Sequence, residues 1–120
     1  MANVNNSFAL ESEPKIEARL LKTIESISEE PSDPKGTLAL YGLFQNLNDK
    51  KHVWVEISYE QLDPSAEVYD SVLSSVLITA GQTEKLYIDR LLGPGEPETQ
   101  KRLIRNIQIL STQVFEPQTN

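Results

Sequence analysis

The sequence predicts an α+β fold that is mainly helical: about four helices packed around one β-hairpin, with disordered termini. Three observations carry this expectation. Apolar residues recur at helical spacing in four stretches of the 120-residue chain. Those stretches are bracketed by Ser, Thr, Asp or Pro at their starts and by Gly or Pro at their ends. One further stretch, 52–59, alternates between apolar and polar residues as a half-buried strand does.

Residues 1–12 are polar and Asn-rich without periodicity, which predicts a disordered tail ahead of a single domain over 13–114. Ser12 caps the first predicted helix, with Pro14 in its first turn. Ile16, Leu20, Ile24 and Ile27 form its stripe, and it ends near Glu30, before Pro31. Glu29 and Glu30 then sit at a helix C-terminus, where acids oppose the macrodipole. The plain reading is a solvated end. A sharper one joins them to Asp33 as an acidic corner for a basic partner, without the ligand spacing of a calcium loop.

Ser32-Asp33-Pro34-Lys35-Gly36 reads as a turn. Two apolar runs follow, 37–45 and 52–59. In the second, Val53, Val55, Ile57 and Tyr59 share one face, and His52, Trp54, Glu56 and Ser58 the other. The first also fits a helical stripe of Leu40, Leu43, Phe44 and Leu47. Gly42 in its middle and the loop 46–51 favour a hairpin 37–45/52–59, which also gives the second strand a ladder partner.

The stretch 63–81 is the best specified. Asp63 is an N-cap, Pro64 a first helical residue, and Gly81 a left-handed stop. Val68, Val72, Leu73, Val76, Leu77 and Ala80 make one helical face, and Glu67, Asp70, Ser71, Ser74 and Ser75 the other. Residues 82–92 read as a short helix capped by Thr83, with Tyr87, Ile88, Leu91 and Leu92 as its face. A second hairpin, 76–80 with 85–89, is the competing reading. Gly93-Pro94-Gly95 breaks the chain. Pro97 opens a last helix with Leu103, Ile104, Ile107 and Leu110 on its face, and residues 115–120 are expected to fray.

Composition narrows the function. The net charge of −7 argues against nonspecific nucleic-acid binding and against a membrane-surface protein, both of which need a basic face. The absence of Cys excludes disulfides and thiolate chemistry. No apolar run reaches the length of a membrane span, and the N-terminus lacks a signal-peptide pattern, so the expected location is cytoplasmic. His52 is the single histidine, and no serine lies in a nucleophile-elbow context. No zinc, Walker A or dinucleotide-binding pattern occurs. The expectation is therefore a non-catalytic chain without cofactor or metal. An enzyme reading would have to use His52 or a pair among the 18 acids.

The segment Leu91-Leu92-Gly93-Pro94-Gly95, set between two predicted helices, resembles the helix-hairpin-helix motif of DNA-binding proteins. The matching residues are Leu92, Gly93, Pro94 and Gly95, with Pro97 and Thr99 downstream. The resemblance implies a phosphate contact from the backbone of Gly93 and Gly95, supplemented by Lys101, Arg102 and Arg105. The chain departs from the motif where Pro94 removes an N–H, where Glu96 is an extra residue and where Glu98 replaces a base. The leading expectation is instead a small acidic protein-binding module of adaptor, assembly-factor or regulatory type. It would bind a protein partner or form a homodimer through the strand face carrying His52, Trp54 and Glu56. The plain alternative is that a covering layer buries Trp54 as core.

Overall fold

The computed structural model describes residues 15–63, 65 and 68–116, and the predicted N-terminal tail (1–12) lies outside them. The fold is not α+β. The described residues contain no α-helix, and the chain runs as β1 (Ala18–Ile27), β2 (Leu38–Asn46), β3 (His52–Leu62), β4 (Val68–Ile78), β5 (Thr83–Leu92) and β6 (Leu103–Phe115). One 3₁₀ turn, Glu98–Gln100, precedes β6. Two antiparallel three-stranded sheets result, one ordered β1-β2-β5 and the other β4-β3-β6.

The predicted hairpin 37–45/52–59 is corrected rather than lost. Both runs are strands, but β2 pairs with β1 and β5 while β3 pairs with β4 and β6. The loop between them carries the chain from one sheet to the other. Asn46 fixes this crossing: its Nδ2 donates to the carbonyls of Lys51 (2.9 Å), Ile78 (3.1 Å) and Thr79 (3.1 Å), and its Oδ1 accepts from the Asn48 N–H. The β4–β5 turn crosses back at the same end. Gly81 there adopts φ 69°, the left-handed conformation expected of it, and donates to the Asn48 carbonyl.

The four predicted helices are strands for identifiable reasons. Asp63 does accept from the N–H and the hydroxyl of the residue two positions on, Ser65, but the chain turns back as a hairpin instead of coiling. In β4 the spacing of Val72 and Val76 suits a period of two as well as 3.6. Val72, Ser74, Val76 and Ile78 face inward, and Leu73 and Leu77 face out. In β1, β5 and β6 bulges break the alternation. Leu21 is the extra residue in β1, and Ile88 lies at the register shift between Leu40 and Tyr41. In β6 Asn106, at φ 56°, lies in the register shift between Ser58 and Glu60. Phe115, expected in a fraying tail, ends β6 opposite His52.

The core lies between the sheets. Phe44, Val53, Val55, Ile57 and Ile78 are fully buried, with Leu40, Tyr59, Val76, Ile88 and Leu91 around them. The uninterrupted inward row of β3 follows from its alternation, and β3 is the central strand of its sheet.

Candidate functional site

The outer faces of the two sheets differ in what covers them. On the first sheet, Tyr41 is buried although it points outward. Its ring meets Tyr87 edge-on at 5.7 Å, and the Lys85 ammonium lies 4.6 Å from its centroid. The β1–β2 loop closes over this face. The Glu29 N–H donates to the Tyr41 hydroxyl (2.7 Å), and Asp33 accepts from Ser28 Oγ (2.7 Å) and faces Arg90 at 3.9 Å. Burial, followed by the bond to the Asp33 carboxylate, pushes the Tyr87 phenol above its ordinary value. Of the three acids that the alternative reading joined into an acidic corner, Glu29, Glu30 and Asp33, the structure packs the Asp33 carboxylate into the loop.

Among the described residues no such cover lies over Trp54 on the second sheet. Trp54 is 41% exposed, and directly opposite on β4 stands Leu77 at 43%. Leu73, opposite Ser58, is 74% exposed. Trp54, Glu56, Leu73 and Ser75 rim one shallow depression. Leu110, the extra residue in β6 opposite Glu56 and Ile57, is also exposed. Serines 58, 71, 75 and 111 surround the apolar side chains in the register. Among the described residues no ion pair holds Glu56. Trp54, Leu73, Leu77 and Leu110 thus leave apolar surface exposed on this sheet among small polar residues.

The sequence reading thus places Trp54 and Glu56 on this face, and the structure adds Leu73, Leu77 and Leu110, which that reading assigned to helix faces. The density of β-branched residues at 68–79 was the available signal for a strand, and hence for two outward leucines. His52 stands apart. Its Nδ1 accepts from the Ala80 N–H (3.0 Å), and its ring meets Phe115 edge-on at 5.7 Å, so it ties the strand ends together.

The residues of the helix-hairpin-helix resemblance are placed differently. Gly93-Pro94-Gly95 joins two strands, so both helices of that motif are missing. The Gly93 N–H donates to the Glu96 carboxylate rather than pointing at an open anion site. Gly95 takes a left-handed φ of 79° in the turn. Lys101 binds Glu25 at 2.6 Å, which raises its pKa, and Arg105 binds Glu60 at 2.9 Å. Arg105 and Asn106 hold the Glu60 carboxyl below its usual range. Arg102, with Asp63, Arg90 and Glu96, lines an open cavity of 520 Å³ whose charges are mixed.

A polar group also closes the sandwich at the far end of β3. Tyr59 donates to Asp89 Oδ2 (2.7 Å), and Gln61 Nε2 reaches the same oxygen at 3.3 Å. Burial first, and then this bond, push the Tyr59 phenol up. Among the described residues no group of three His, Asp or Glu is placed to hold one metal ion, and no helix is long and apolar enough to cross a membrane. No protein-family model matches the chain, and no curated protein and no solved structure matches it.

Proposed function

We propose that this chain is a non-catalytic protein-binding module and that its contact is the outer face of β4-β3-β6, centred on Trp54. The supporting observation is the exposure of Trp54 beside Leu73 and Leu77 on a sheet whose counterpart has its outer face covered. Trp is the side chain most enriched among residues that dominate binding energy, and a rigid strand presents it at little entropic cost. The partner surface this face fits is apolar at its centre, with a cation or hydrogen-bond donor opposite Glu56.

Trp54→Ala tests the reading. The variant keeps the wild-type circular dichroism spectrum and melting temperature, because the indole contributes little to the core. Tagged wild-type chain captures a stoichiometric protein from the source lysate with or without nuclease, and the variant loses it, a cost of at least about 2 kcal/mol in binding. Unfolding of the variant would make Trp54 structural. Loss of every partner on nuclease treatment would reject the face in favour of nucleic acid.

A further inference from the structure

Each sheet has two edge strands, and three of the four are defended. β1 carries a bulge at Leu21 and the charges of Arg19, Lys22 and Glu25. β5 has two register shifts and Glu84, Lys85, Asp89 and Arg90. β6 has two register shifts, the positive φ of Asn106 and Arg105, and its Thr112 hydroxyl is engaged by residues 15 and 17. Bulges and charges are the devices that keep an edge from pairing with another chain.

β4 has neither over most of its length. Its register against β3 runs unbroken from Val53 opposite Ile78 to Gln61 opposite Asp70. No charged residue occurs from Ser71 to Thr83. We propose that β4 pairs antiparallel with β4 of a second copy of this chain, about a two-fold axis at Ser75, to give one continuous six-stranded sheet.

Self-pairing at this register satisfies the face of every residue. Directly opposed residues in an antiparallel pair share a face. With Ser75 on the axis, Leu73 of one copy meets Leu77 of the other, twice, on the outer face. Val72 falls in register with Ile78 on the inner face, where Ile78 is already fully buried within its own copy, and Ser75 meets itself. Such an isologous contact closes as a dimer and leaves no further β4 edge open. Two copies carrying −7 each repel overall, and the uncharged run from Ser71 to Thr83 is the stretch of edge along which they meet without like charges in direct contact. The pairing is made by the backbone edge of β4; it takes Leu73 and Leu77 from the margin of the Trp54 face and leaves Trp54, one strand further in on β3, on the outer surface of the joined sheet.

The test is the mass in solution of the full chain and three variants. Wild type is expected at twice the 13.5 kDa chain mass by light scattering. Ser75 is exposed and stands opposite Glu56, so a lysine there finds a cross-strand partner within one copy, whereas on the axis two lysines face each other. Ser75→Lys is therefore expected to halve the mass with an unchanged circular dichroism spectrum. The chain has no cysteine, so Ser75→Cys is expected to form a disulfide dimer on oxidation, and Gln113→Cys, on the opposite edge strand, is not. A wild type at monomer mass, a dimer that survives Ser75→Lys, or equal cross-linking at both positions would overturn the pairing. Trp54→Ala keeps the doubled mass if the edge joins the copies, and loses it if the face does.

Discussion

Tyr59 shows how much one side chain can do in this sandwich and how little of it is written locally. It belongs to the inward row of β3, which its alternation makes plain, but its partner Asp89 comes from β5, 30 residues on. The phenol is buried, and its proton is held by a carboxylate, so its folded pKa lies above the ordinary 10.0. Below pH 10 both states keep the proton and its contribution to stability is complete. Above pH 10 the unfolded phenol ionises while the folded one does not, and stability falls as pH rises. The slope is about 1.4 kcal/mol per pH unit for one such group. Urea denaturation between pH 8 and pH 12 is expected to show this fall. Tyr59→Phe is expected to lose one tyrosine's share of the slope, whatever its effect on stability at neutral pH. An unchanged slope would show that the phenol titrates freely. Trp54 is the contrasting residue. Its outward direction was legible from alternation alone, but its exposure depended on whether another layer covers that face.

Gly42 carries the same lesson to the scale of the strand. In the sequence it is a glycine inside an apolar run and supports a strand over a helix without saying why it is there. In β2 a Cβ at this position would stand 2.5 Å from the Phe44 ring and 2.8 Å from Leu20 of β1. Gly42→Ala is expected to force those side chains off their rotamers and destabilise the protein by about 1–3 kcal/mol. A melting temperature equal to wild type would show that the ring moves freely aside. The strands misread as helices fail in two ways. In β1, β5 and β6, bulges shift the alternation by one residue and imitate a 3.6 period. β4 has no bulge between Asp70 and Ile78, but Leu73 and Leu77 lie exposed beside inward Val72 and Val76, filling both faces. The leucines proposed to bind a partner are the ones that hid the strand.

At the scale of the whole molecule, the connections decide the topology. A short polar loop such as 46–51 has the same composition whether it closes a hairpin or crosses between sheets, so pairing order was not legible from it. The outcome is that β2 and β3, consecutive in sequence, are the central strands of different sheets, and that β5 and β6 must each return to complete one. Neither sheet is therefore a contiguous piece of chain, and neither can bury its inner face without the other. One cooperative unfolding transition is expected. The molecule carries its own probe of one sheet: Trp54, the single tryptophan, lies on the second. Urea transitions followed by tryptophan fluorescence and by far-ultraviolet circular dichroism, which sums both sheets, are expected to coincide in midpoint and slope. Separate midpoints would mean that one sheet persists without the other, which the shared core of Phe44, Val55, Ile57 and Ile88 gives no means of supporting.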